Sequence, residues 1–528
     1  MARINIIGAG LAGMSAALTL AEKNIPCRLI SPQPSERAQS VLAEGGINAA
    51  LDTMNEHDSP EEHFEDTVRG GCFLADPNAV DGLTQNAPHI IGKLRALGAP
   101  FDLTGDSITL RSFGGQKKKR TAFAGSSTGK ILMTALIDEV RKHEASGLIE
   151  CLAHHEFIRL TDDGAFIRDS WSGLCAEIGG QIIFAHGGMN GMFPFRTTGT
   201  TLNTGDVTAV LFSQGISLAN PEMIQYHPTT FAIAGKRCLV TEAARGEGGR
   251  LWISRSGAKW YFMEEKYPSL GNLMPRDVVA REMYLVRRQS DTEGEVMLDM
   301  TGLSNEVWNS RLADLRRELM YYLGEDPARK PVAVREGIHY FMGGIDVDEH
   351  HHTCIPGVYA AGECCAQYHG ANRLGGNSML GAIYGGITAA ETAASEYDYS
   401  PDITPVFKSA DGEPLLEKPR PSFCKELGDV LSEGLGIIRS EIGLNEALRR
   451  LGEIKAVNAC EENRLALGRA MLLSALERRE SRGAHYREDC PGSGDEYRKT
   501  TVVTFSAGRI NVSFRTIPER RSRGADKA

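Results

Sequence analysis

The chain has 528 residues, 41% hydrophobic and 24% charged, with a formal net charge of −10. That length exceeds what one hydrophobic core supports, so two to four domains are expected. The acidic balance argues against a nucleic-acid partner, and no apolar run is long enough to predict a membrane-spanning helix. Eleven cysteines show no C-x-x-C and no zinc or iron–sulfur spacing, which points to a reducing compartment and no metal site. The start has the outline of a signal peptide, but its glycine spacing and the charged Glu22 and Lys23 point elsewhere.

In chain order, residues 3–7 predict a short buried strand. Gly8, Gly10 and Gly13 follow in G-x-G-x-x-G spacing, then a small-residue helix, then a second strand at 27–31. In that context Gly8 allows the tight turn, Gly10 admits a pyrophosphate and Gly13 lets helix and strand pack closely, with the helix N-terminus facing the phosphates. The second strand ends in Ser31, where an acid would hold ribose hydroxyls. This weakens a case for NAD and leaves FAD open. Ser40 to Ala50, with the Gly45-Gly46 pair, is apolar and glycine-rich, as the surface under an isoalloxazine must be. Residues 58–68 predict an acidic helix read as a solvated face, and the basic run 117–120 reads as a solvated loop from which Arg120 can meet a phosphate. Thr128 leads a helix, 182–188 runs from strand into a glycine pair, and Asp206 opens a further helix, either as a cofactor contact or as a helix cap.

Three short polar stretches then follow: Gln225-Tyr-His227-Pro-Thr-Thr, Thr241-Glu242-Ala-Ala-Arg245 and Met274-Pro-Arg276-Asp277. Residues 307–323 show a helical period. His339 and Arg373 suit a dianionic substrate. Glu363 ends the apolar strand that begins at Val358, and a helix from Ser378 and Met379 would aim its positive N-terminus at a ligand. Residues 399–422 are proline-rich and read as a linker, 423–478 as amphipathic helices, and 516–528 as a loose basic tail.

These segments, in this order over residues 3–490, resemble the flavoprotein subunits of succinate dehydrogenase and fumarate reductase, a family that includes L-aspartate oxidase. The resemblance implies an α/β fold: a Rossmann-like FAD-binding domain (1–235 and 336–398), an inserted α+β capping domain (236–335), a linker (399–422), a C-terminal helical domain (423–490) and a tail (491–528). It implies FAD, with Asp206 and Glu363 among its contacts. Where membrane-bound members carry a flavin-linking His, this chain has Gln39, so FAD is expected to be non-covalent. Phe113 stands where aspartate oxidases carry a Glu that can pair with an ammonium, which favours a substrate without one. For fumarate, the resemblance implies that Arg373 binds one carboxylate bidentately and that His227, Thr241 and His339 donate to the others. Hydride passes between flavin and alkene, and Arg276 supplies the proton through a relay of Glu242 and Arg245. An iron–sulfur partner, a membrane anchor and a peripheral place on the inner face of the cell membrane follow as expectations. L-aspartate oxidase and a flavin subunit with no turnover of its own stand as alternatives.

Overall fold

The computed structural model describes residues 2–233, 235–288, 294–397, 404–410 and 412–522. At its centre five parallel strands run in the order Val358–Ala360, Ile182–Phe184, Ile4–Ile7, Cys27–Ser31, Ile149–Ala153. Ile4–Ile7 is buried throughout, the near-continuous apolar pattern of a parallel strand covered on both faces. Helix Leu11–Glu22 follows the first strand and packs on helix Asn377–Ser395. The two approach so closely that a Cβ on Gly386 would lie 2.2 Å from the Ala12 carbonyl oxygen. A three-stranded antiparallel sheet, His155–Thr161, Gly164–Asp169 and Cys175–Gly179, stands beside this unit.

A six-stranded antiparallel sheet with its own core, including Val240, Leu251, Phe262, Met283, Leu298, Trp308 and Val334, forms an inserted layer. Its long strands Ile224–Ile233 and Val332–Phe341 pair with each other; the first ends just before the boundary expected at 235/236, and the second crosses the one expected at 335/336. The layer therefore grows directly out of the strands that carry Gln225, His227 and His339. The helical period at 307–323 is split into Asn305–Asn309 and Ala313–Leu323.

Helices Pro421–Gly434 and Glu441–Glu453 bear out the amphipathic pattern, whereas Ala459–Glu477 is helical but buried around much of its circumference. Their apolar faces do not close on a separate core: Phe423, Leu431 and Met471 share one with Phe193, Leu211 and Phe212 of the sheet unit. Of the expected linker, residues 399–403 and 411 lie outside the described residues. In the remainder, Lys408 exchanges backbone hydrogen bonds with Cys175, and Leu415 and Leu416 pack on Ile158 and Phe166.

The expected tail at 491–528 is corrected over its described part, 491–522; residues 523–528 lie outside the described residues. Lys499–Ser506 and Arg509–Thr516 form a hairpin that joins a five-stranded sheet with Leu218–Ala219, Gly344–Asp346 and Cys365–Ala366. Its turn residues Ala507 and Gly508 both have positive φ, 49° and 75°, a geometry that matches strand twist. Beyond it Arg515 grips Asp346 at 2.6 and 2.7 Å, and Arg520 pairs with Glu61 and Asp81 while lying 3.6 Å over the Phe64 ring.

Candidate active site

One cavity of about 470 Å³ runs along the edge of the parallel sheet and under the inserted layer. At one end it is built from backbone. Gly8 has φ +119°, and a Cβ on Gly13 would lie 1.9 Å from the Gly8 carbonyl oxygen, so neither position admits a larger residue without rearrangement. Helix Leu11–Glu22 has Gly10 as its N-cap and no side-chain cap; only its Leu11 N–H is taken, by Ser40 Oγ at 3.1 Å. Helix Asn377–Ser395 likewise starts after Gly376, φ +83°, without a side-chain cap. Asn48 fixes that second turn, donating to Gly375 O and Asn377 Oδ1, each at 2.7 Å. Two helix N-termini with free N–H groups and glycine-only turns suit an extended pyrophosphate-containing cofactor. FAD therefore fits the residues present.

Gly8, Gly10, Ser31, Ser40, Gly45 and Gly46 line this end, with Asp206, Glu363, Ser378 and Met379 further along. Gly13 lies behind the turn instead. Ser31 Oγ donates to Gln33 O at 2.5 Å, which leaves it acceptor capacity only. Asp206 is the first residue of helix Asp206–Ser213, after the N-cap Gly205, and its carboxylate is held by Arg464, at 3.0 Å from Nη2. Glu363 Oε1 accepts from Phe341 N–H at 3.1 Å; burial raises its carboxyl to about 7. Gln39 Oε1 accepts from Thr200 N–H at 2.5 Å. Arg120 does not reach the cavity. It is fully buried between Asp58 and Asp66, 2.9 and 3.0 Å away, so those acids are not a solvated face either.

The other end holds the polar cluster. Thr241-Glu242-Ala-Ala-Arg245 folds as a single helical turn, Ala243–Gly246, preceded by Glu242, which places Glu242 and Arg245 on one side, 3.5 Å apart. Glu242 Oε2 accepts from Arg276 Nε and Nη2 at 2.9 and 2.7 Å, and Oε1 from Gly114 N–H at 3.1 Å. Arg276 opens helix Arg276–Arg288. Arg245 is fully enclosed behind Glu242, and its Nη1 donates to Asn272 O. His227 and His339, from the two paired long strands, have ring centroids 5.1 Å apart. His339 Nδ1 pairs with Thr198 Oγ1 at 2.8 Å; His227 Nε2 has no partner. Arg373 is 3% exposed, no acid among the described residues pairs with it, and its Nε is unpartnered there. Its guanidinium lies 4.5 Å from the centroid of the Tyr340 ring. Phe113 packs against Gly45 and Gly375, and Thr241 lines the cavity beside Glu242.

The charges explain the titration. Burial alone would raise Glu242, but Arg276 and Arg245 outweigh it and hold the carboxyl at about 2. Burial, then the Arg276 charge, pushes both His227 and His339 well below the usual imidazole range, so both are neutral donors or acceptors at neutral pH. The same two causes bring Arg373 down to about 9. Three guanidiniums and two imidazoles thus gather at this end of the cavity around one carboxylate, which only Arg276 and Arg245 among the described residues pair with, in a chain whose net charge is −10. A cavity of this kind lowers the free energy of a small dianion.

Sequence reasoning brought Phe113, His227, Thr241, Glu242, Arg245, Arg276, His339 and Arg373 forward singly, and the structure brings them together. It also adds groups not singled out: the Gln225 amide, Asn372, Thr198 and Tyr340. Gln225 and Asn372 sit inside the quoted motifs, so their proximity to His227 and Arg373 was the available signal; the contact of Tyr340 with Arg373 has none.

Comparison with known proteins agrees with this geometry. The FAD binding domain family matches residues 4–379 and the fumarate reductase flavoprotein C-terminal family matches residues 457–522. The chain is 35% identical to the succinate dehydrogenase flavoprotein subunit of Bacillus subtilis, covering 95% of this chain and 93% of that one. It is 33% identical to the 8-methylmenaquinol:fumarate reductase flavoprotein subunit of Wolinella succinogenes, over 97% and 90%. Among solved structures, E. coli quinol fumarate reductase FrdA superposes with a TM-score of 0.85 at 28% identity, covering 98% of this chain and 96% of that chain. Fold, cofactor groove and relatives agree: the chain belongs to the family of succinate dehydrogenase and fumarate reductase flavoprotein subunits.

Proposed function

We propose that this protein interconverts fumarate and succinate and works in the direction of fumarate reduction. The observation that carries the reading is the Arg276–Glu242–Arg245 chain, buried beside an Arg373 that pairs with no acid among the described residues. Arg373 binds one substrate carboxylate as its counter-ion, with Tyr340 under its guanidinium face. His227, His339 and Thr241 donate to the remaining carboxylate oxygens, which holds the alkene flat against the groove and polarises it. When bound, FAD supplies the hydride at N5. Arg276 gives a proton to the opposite carbon, and Glu242 and Arg245 return one to it. An arginine can serve as the acid because the carbanion that forms is far more basic than a carboxylate and the proton is replaced along the relay. The inserted layer acts as a cap that excludes water from this step.

FAD is held without a covalent bond, since Gln39 occupies the position of the linking His. Without that link a flavin is a better reductant, which supports the fumarate-reducing direction. Electrons reach the flavin from an iron–sulfur partner, and that partner, with an anchor subunit, gives the chain a peripheral place on the inner face of the cell membrane. Phe113 supports a dicarboxylate over L-aspartate, because a buried phenyl ring gives an ammonium no counter-charge.

The test is anaerobic. Chemically reduced holoprotein should be reoxidised by fumarate, and oxidised holoprotein should not bleach with L-aspartate. Bleaching by aspartate would establish the oxidase reading instead. A flavin midpoint potential well above that of the fumarate/succinate couple would overturn the direction.

A further inference from the structure

We propose that Gln225 and Asn372 form an amide latch that fastens the proton-donating end of helix Arg276–Arg288 to the loop carrying Arg373. Both are positioning residues, and the inference rests on the roles given to Arg276 and Arg373 above.

Gln225 is fully buried and Asn372 is 5% exposed. Gln225 Oε1 accepts from Arg276 Nη1 at 3.2 Å. Its Nε2 donates to the Arg373 carbonyl at 2.8 Å and to Asn372 Oδ1 at 2.9 Å. Asn372 Nδ2 in turn donates to Asp277 Oδ1 at 3.0 Å. Arg276 and Asp277 are the first two residues of the helix. Each is held by one amide, and the two amides hold each other. The polarity of the circuit is fixed. Rotating Gln225 would set its NH₂ against the Arg276 donors and its oxygen against the Arg373 carbonyl; rotating Asn372 would set oxygen against the Asp277 carboxylate. Amides are the side chains that can satisfy a guanidinium on one side and a carbonyl on the other without adding charge to a site already crowded with it. The latch therefore sets the spacing between the acid and the residue that binds the substrate carboxylate, and it joins the inserted layer to the cofactor-binding unit.

Asn372→Asp tests this. It removes the donor and sets a carboxyl against that of Asp277, which burial already raises. Arg281, Cys72 and Tyr267 also face Asp277; burial pushes the Cys72 thiol and the Tyr267 phenol each up to about 12, so neither changes state near neutrality. Two adjacent buried carboxyls share one proton at lower pH and repel once both ionise. Fumarate turnover by the variant holoenzyme should fall about tenfold or more at about pH 8, mainly in kcat, and recover toward the parent at about pH 6, whereas Asn372→Ala should lose activity at both. Trypsin cleavage within 276–288, compared with the parent at each pH, should show the same pattern without any substrate. The double exchange Asn372→Asp with Asp277→Asn reverses the hydrogen bond and should restore both readouts at about pH 8. Parallel pH profiles for variant and parent, or a double exchange no better than the single one, would overturn the latch. If the parent does not turn over fumarate, the functional reading fails, and cleavage alone decides the latch. If Asn372→Asp does not fold, the double exchange is compared with the parent directly, and loss there overturns it.

Discussion

Glu242→Gln is the substitution that separates charge from shape at this site. Among the described residues Glu242 is the only carboxylate bonded to Arg276, and the same group lies 3.5 Å from Arg245. Glutamine keeps the volume and an acceptor but leaves two buried guanidiniums without a counter-ion. Holding the carboxyl at about 2 rather than the ordinary 4.5 corresponds to on the order of 3 kcal/mol, at about 1.4 kcal/mol per unit. Breaking a buried pair from one side costs about 3–5 kcal/mol in general. The sign follows from a depressed acid: the stabilisation is fully present above the unfolded-state value and is lost as pH falls toward about 2. Urea denaturation of holoprotein should therefore show a deficit for Glu242→Gln that is constant from neutrality down to about pH 4.5 and shrinks below it. Fumarate turnover should drop by about 10²–10⁴, the range expected when an acid–base group is removed. Turnover within about twofold of the parent would refute the relay, and an unchanged denaturation midpoint at neutral pH would refute Glu242 as the counter-ion.

Three further outcomes are expected. Dicarboxylate affinity, measured by flavin spectral titration, should weaken as pH rises through about 9, because Arg373 is brought down to that value and its neutral form has no charge for a carboxylate; Arg373→Met should abolish binding at every pH. Gly13→Val should purify with little flavin, since any Cβ there meets the Gly8 carbonyl at 1.9 Å; a full flavin complement would refute the turn as the pyrophosphate seat. Acid precipitation of the holoprotein should release all flavin to the supernatant, and flavin remaining in the pellet would refute non-covalent binding.

The sequence by itself determined the cofactor turn and brought forward most of the polar cluster. G-x-G-x-x-G between two apolar runs permits few backbone paths, and the polar stretches at 225–230, 241–249 and 274–277 are local enough to keep their meaning without a fold. It also determined the helical pattern of 423–478. The tertiary structure decided what those local patterns could not contain. Arg120 reads as part of a basic loop until Asp58 and Asp66, more than fifty residues away, are folded around it. Asp206 reads as a helix start until Arg464 arrives from the C-terminal helices. The last strands read as tail because their partner, Leu218–Ala219, is only two residues long and lies nearly 300 residues upstream. The strength of the site is likewise a tertiary property: Glu242, His227 and Arg373 depart from their ordinary titration because burial and neighbouring guanidiniums act on them together, and burial is set by packing, which no stretch of sequence carries alone.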